Sequence, residues 1–214
     1  LDPTAVLRIY EAKGRPDYNP LIVHVADTAS AQRLVTTWPD AAERLAMRWW
    51  PGPLTIVLPK AMVIPAEVTA GLGTVALRVP AHPVAIALLK ACGFPLAAPS
   101  ANRSGEVSPT TAGHVAAGLG SKVPMILDGG STAVGIESTV IDLSGAEPQL
   151  LRPGMISRAE LEEEIGPVRP PALADAADAP RPAPGMLDRH YAPKGRLVLL
   201  KPRGDLAAPL PAGA

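Results

Sequence analysis

Ser138-Thr139-Val140-Ile141-Asp142-Leu143, followed after a Ser-Gly-Ala-Glu-Pro segment by Gln149-Leu150-Leu151-Arg152, decides the fold class. Each end is a short run rich in β-branched and aliphatic residues, so STVIDL (138–143) and QLLR (149–152) read as strands with no helix between them. MILD (125–128) predicts a third strand just upstream. Working outward, LTIVL (54–58) and TVALRV (74–79) are strands separated by an irregular segment with room for a short helix, and LIVHV (21–25) is a buried strand. PLAAPSAN (95–102) reads as a strand running into a loop. Helices are expected over Ala5–Lys13, Ala29–Thr37, Ala41–Trp50, Pro83–Cys92, Thr110–Gly118 and from Ser157 through Ile165. Asp2-Pro3 opens the first and Gly14 ends it; Asp40 with Glu43, and Ser157 with Glu160, have capping-box spacing. Strands that follow one another without crossover helices disfavour a doubly wound parallel sheet. The expected fold is α/β, an open, twisted, mixed sheet with helices packed on it.

The chain has 214 residues, 47% of them hydrophobic, enough to bury an ordinary core. Twenty basic and twenty acidic side chains balance, against a protein whose main work is coating nucleic acid, although a local basic site stays open. No run of 18 apolar residues and no signal-peptide pattern is present, so a soluble, cytoplasmic protein without membrane contact is expected. Cys92 is the single cysteine, and the four histidines (His24, His82, His114, His190) lack ligand spacing, so any metal is expected to arrive with a substrate. The 26 prolines and 19 glycines point to many shaped turns. After Gly166 the composition shifts to Pro, Ala and Asp, which sets the expected units at 1–166, a linker at 167–195 and the start of a second small α/β domain at 196–214.

Three clusters carry chemistry. Lys13-Gly14-Arg15-Pro16 with Asn19 and His24 reads as an anion clamp, or as a solvated helix end whose cations suit the dipole. Ser100-Ala101-Asn102-Arg103-Ser104-Gly105 through Ser108-Pro109-Thr110 offers many small donors ahead of a helix; Ser108 or Thr110 could also simply cap it. Asp128-Gly129-Gly130, then Gly135-Ile136-Glu137-Ser138, then Arg152-Pro153-Gly154 reads as glycine turns around a ligand or as a plain hairpin. Arg78, inside an apolar strand, calls for an anionic partner. With no phosphate-binding loop of the GxxxxGK[ST] type and no nucleophile paired with a base, the pattern suits positioning of anionic substrates, a nucleotide or acyl phosphate.

Lys13-Gly14-Arg15-Pro16 with Asn19 to Val25, Trp50 to Thr55, Thr74 to Pro80, Pro95 to Gly105 with Ser108-Pro109-Thr110, Ile126 to Gly130, Gly135 to Leu143 and Leu151 to Gly154 occur in an order that resembles the YrdC-like threonylcarbamoyl-AMP synthase family. The Pro-rich stretch followed by Pro184 to Pro193 is similar to its two-domain branch. The resemblance implies a nucleotidyltransferase that makes threonylcarbamoyl-adenylate and pyrophosphate from L-threonine, bicarbonate and ATP with Mg²⁺ on the triphosphate, feeding a complex that modifies tRNA. It implies ATP contacts at Arg15, Asn19, Thr74, Ala98, Ser108 and Arg152, and threonine contacts at His24, Arg78, Ser100 and Ser138; the linker's own cluster of apolar, aromatic and cationic residues ending in His190 and Tyr191 reads as a lid over the nucleotide, or as a segment that docks the second domain. It also implies a polar catalytic tetrad of Lys13, Arg15, Ser100 and Asn102. The family's Pro-Thr-[Asp/Glu]-Thr-Val-Tyr-Gly-Leu segment is expected upstream of Leu1, and the second domain is expected to continue past Ala214. Two alternatives stand beside this: a double-stranded RNA-binding module gripping phosphates, and the carbamoyl-adenylate-forming domain of a hydrogenase-maturation carbamoyltransferase.

Overall fold

Strand pairing sets the architecture. The computed structural model describes residues 1–16 and 18–171. In chain order the elements are α1 (Pro3–Lys13), β1 (Ile22–His24), α2 (Thr28–Gln32), α3 (Asp40–Trp49), β2 (Leu54–Pro59), α4 (Ala66–Thr69), β3 (Thr74–Arg78), α5 (Pro83–Cys92), β4 (Leu96–Ala97), α6 (Ala112–Leu119), a 3-10 turn (Gly120–Lys122), β5 (Thr139–Asp142), β6 (Gln149–Arg152) and α7 (Arg158–Ile165). The six strands form one sheet in the order β4-β1-β3-β2-β5-β6. β1 with β3 and β2 with β5 are parallel, and the other three pairings are antiparallel. The sheet is therefore mixed, as the helix-free 138–152 stretch requires.

Side-chain alternation divides the sheet into two faces. Val23, Val75 and Leu77 join Val6, Tyr10, Ala31, Leu34, Ile64 and Val68 in one cluster under α1, α2 and α4. Leu54, Ile56, Leu58, Ile141 and Leu150 join Ala42, Leu45, Ala46 and Leu161 in a second under α3 and α7. The opposite face has only a small apolar floor, Ile22, Val57, Ala76, Val140 and Leu151, and the positions two residues from Ile22, Val57 and Ala76, on the same face, carry His24, Thr55 and Arg78.

Local chemistry explains most element ends. Asp2 caps α1 through Thr4 N, and Gly14 ends it with φ 59°, a left-handed turn that suits glycine. Ser157 and Glu160 form the expected capping box on α7. Four expectations need correction. α2 stops at Gln32, because the β-branched Val35-Thr36-Thr37 run turns extended and Val35 bridges Lys60. α3 begins at Asp40 after Pro39 with no side-chain cap; Glu43 instead accepts from Trp38 Nε1 at 2.6 Å. α6 is capped by Thr111, not by Ser108 or Thr110. MILD (125–128) is not a strand: no strand pairs with it, Met125 is exposed, and Ile126 and Leu127 line a cavity instead. Of the linker only residues 167–171 are described, and the remainder, with the 196–214 unit, lies outside the described residues.

Candidate functional site

The open face gathers its cations at strand and helix ends. His24 and Arg78 are register partners on β1 and β3, so both project from the same edge of the sheet. Arg152 reaches that face through a β-bulge: Val140 opposes Arg152 while Ile141 opposes Leu150, leaving Leu151 as the extra residue. Without the bulge, alternation from Leu150, which faces α3 and α7, would send Arg152 to the core side. Arg15 arrives just past the α1 turn, its backbone N donating to Tyr10 O at 2.9 Å.

Each of these cations donates to main-chain or side-chain oxygens of the described residues. Arg15 is 8% exposed and donates to Asn19 O, Asn19 Oδ1 and Pro20 O at 3.1, 2.6 and 2.7 Å. Asn19 O also accepts from Tyr10 Oη, so Asn19 is a fully buried support for the guanidinium. Arg78 Nε donates to Gly52 O at 2.9 Å and has no acidic partner among the described residues. Arg152 donates from Nε to Ser138 O and from Nη2 to Ser138 Oγ, both at 3.0 Å, and Ser138 Oγ lies 2.7 Å from Thr55 Oγ1. Burial and, second, the Arg152 charge lower the proton affinity of Arg78, so the pair repels at close quarters.

Lys13 works differently. Its ammonium donates to Ser100 O, Asn102 O and Asn102 Oδ1, and Ser104 N donates back to Lys13 O at 3.0 Å. All three ammonium protons thus go to the 100–104 loop, and neither Lys13 nor Asn102 is among the described residues lining the two cavities below; their bonds hold the loop that carries Ser100. Burial, and then the Arg15 charge, push Lys13 down to about 8. His24 is pushed down to about 4 by burial of the ring and, second, by Arg78; its buried Nδ1 has no hydrogen-bond partner among the described residues.

Two adjoining cavities result. A recess of about 230 Å³ is lined by Arg15, His24, Ala98, Ser100, Ser138 and Arg152 among others, and a wider cavity of about 700 Å³ by Ser108 to Ala112, Ile126, Leu127, Gly129, Gly130 and Thr132 to Ser138 among others. Arg78, Ser100, Glu137 and Ser138 line both, so one opens into the other. Ser108 donates to Glu137 Oε1 at this junction. The recess supplies charge; the wider cavity is mainly apolar with scattered hydroxyls, the general make-up of a small-molecule pocket. Gly154 is required beneath it, since a Cβ there would stand 2.4 Å from Thr139 N and 2.8 Å from Glu137 O.

Of the residues singled out in the sequence, Arg15, His24, Arg78, Ala98, Ser100, Ser138 and Arg152 meet at the recess, and Ser108 stands in the wider cavity. Asn19 sits behind Arg15. Thr74 is on the same face as Arg78 but four residues along β3, about 13 Å away, and lines neither cavity. His190 and Tyr191 lie outside the described residues. Glu137 and Thr55 were not singled out; Thr55 was readable as the polar residue alternating with Leu54 and Ile56, and Glu137 as the acid in an otherwise basic constellation. Among the described residues no cluster of three His, Cys, Asp or Glu could hold a metal, and no helix is long and apolar enough to cross a membrane.

Comparison with known proteins gives concordant findings. A family model for Sua5, YciO and YrdC proteins, described as telomere recombination, matches residues 1–154, and one described as the threonylcarbamoyl-AMP synthase C-terminal domain matches residues 156–209. The chain is 50% identical to a threonylcarbamoyl-AMP synthase of Pyrococcus abyssi over 94% of its own length and 59% of that protein. It is 49% identical to one of Bacillus subtilis over 91% of its length and 57% of that protein. The crystal structure of P. abyssi Sua5 complexed with L-threonine superposes with a TM-score of 0.86 at 50% identity, covering 91% of this chain and 57% of that one. The chain thus spans under two thirds of the length of these relatives.

Proposed function

The chain belongs to the Sua5–YciO–YrdC family, and from that premise we propose that it forms the substrate-binding part of an L-threonylcarbamoyladenylate synthase. The substrates in this reading are L-threonine, bicarbonate and ATP; the products are threonylcarbamoyl-adenylate and pyrophosphate, the adenylate then being passed to a transferase complex acting on tRNA. One observation carries it: Arg15, Arg78 and Arg152, from three separate segments, converge on one recess with a larger, mainly apolar cavity beside it.

The reaction needs alignment more than covalent help. The amine of threonine becomes a carbamate, whose oxygen displaces pyrophosphate at the α-phosphorus, so each stage gathers negative charge. Arg15 and Arg152 would hold phosphate oxygens, and Arg78 the amino-acid carboxylate, each already fixed by main-chain or hydroxyl contacts and so needing little reorganisation. Neutral His24 offers a hydrogen bond to the threonine hydroxyl without adding to the cationic repulsion. Lys13 and Asn102 keep Ser100 against the recess. Mg²⁺ belongs to this reading as part of the nucleotide substrate, where it would share the charge of the triphosphate. Pyrophosphate release by the full-length protein is the test. It should require ATP, threonine and bicarbonate together, and release that continues with threonine omitted would refute the reading.

A further inference from the structure

Glu137 is the single acidic side chain among the described residues lining either cavity, and it lines both. It shares the recess with Arg15, Arg78 and Arg152, yet it forms an ion pair with none of them. Its Oε1 accepts the Ser108 hydroxyl proton, and Oε2 accepts no hydrogen bond from the described residues. Glu137 directly precedes Ser138, the residue that anchors Arg152, and Gly154 packs against its carbonyl, so its backbone is fixed on two sides.

A carboxylate beside guanidiniums would ordinarily pair with one, cancelling charge that an anion site needs. Here it is held apart from them by Ser108. Such a spacing suits a ligand that carries both signs: its anionic end meets the guanidiniums and its cationic end meets the carboxylate. We infer that Glu137 Oε2 receives the ammonium of the amino-acid substrate, making the recess selective for α-amino acids over the corresponding α-hydroxy acids. This rests on the proposed amino-acid substrate and assigns the residue that reads its amino group. Ser108, in the same arrangement, aims the carboxylate.

The test uses the full-length protein with L-threonine and with 2,3-dihydroxybutanoate, which replaces only the amino group, and compares wild type with Glu137→Gln and Glu137→Asp. Glutamine keeps an oxygen for Ser108 but no charge; aspartate keeps the charge on a shorter arm. Wild type should bind threonine about tenfold or more tightly over the hydroxy acid, in line with a hydrogen bond to a charged group. Glu137→Gln should bring the two ligands to within about twofold while ATP affinity holds or tightens, and Glu137→Asp should keep part of the preference. An undiminished preference for threonine in Glu137→Gln would overturn the assignment. So would joint loss of threonine and ATP binding in both variants, which would mark the Ser108–Glu137 contact as a structural tie only. Absence of threonine binding by wild type would overturn the amino-acid reading itself, and the wild-type control separates that failure from the others.

Discussion

The two faces of β1 and β3 differ in what satisfies them. On one, Val23, Val75 and Leu77 are covered by helices, and their contribution is area removed from water. On the other, one residue along, His24 and Arg78 stand over a thin apolar floor in a half-open recess, supported by a carbonyl and surrounded by like charge. The same strand therefore holds a group that stabilises the fold beside one that costs it stability and, in the proposed function, finds its counter-charge in a ligand. Substitutions on the two faces should accordingly separate stability from binding.

The largest expected effect is on the covered face. Leu77→Ala removes a fully buried side chain and should cost about 2–5 kcal/mol in urea unfolding, while the properly folded fraction keeps near-normal substrate affinity. Its counterpart, Arg78→Met, should do the reverse. Synthesis should fall by about a hundredfold or more, as when one preorganised donor is lost, while the urea midpoint holds or rises because a buried repulsion is gone. A loss of stability equal to that of Leu77→Ala would erase the distinction between the faces.

His24 supplies a pH-dependent version. Its folded pKa is about 4 against an ordinary 6.5, so the unfolded chain binds the proton more readily, and the stability tied to neutral His24 is present above 6.5 and lost as pH falls towards 4. Measured against His24→Gln, wild type should lose up to about 3 kcal/mol across that interval and nothing further below it. Parallel pH profiles would mean the ring is not held neutral by the fold. The smallest effect belongs to Ser157→Ala, far from the recess: loss of the capping box should cost about 1 kcal/mol and leave synthesis unchanged.

How much of this was legible follows from range. Caps, apolar runs and glycine stops are local, so β2, β3, α5 and α7 and the mixed character of the sheet were readable from short windows. MILD misled because an apolar run signals burial or a ligand wall equally well, and only a pairing partner makes it a strand. Arg15, Arg78 and Arg152 were visible as cations in unusual settings, but their convergence depends on strand order and, for Arg152, on a bulge that no pattern in QLLR announces. Lys13 was conspicuous for its charge, whereas its structural use, three bonds to one loop, appears only once residues 87 and 89 positions away fold back on it. Glu137 is visible in the 135–138 segment but carries no role there, because its significance is relational: one carboxylate among three guanidiniums.

A crystal structure of the full-length protein with L-threonine and a non-hydrolysable Mg·ATP analogue addresses the recess most directly. The account predicts that phosphate oxygens lie within hydrogen-bond distance of Arg15 and Arg152, and that the threonine carboxylate lies within reach of Arg78, with the core face unaltered. Ligands bound elsewhere, with these three guanidiniums left facing water or each other, would contradict it.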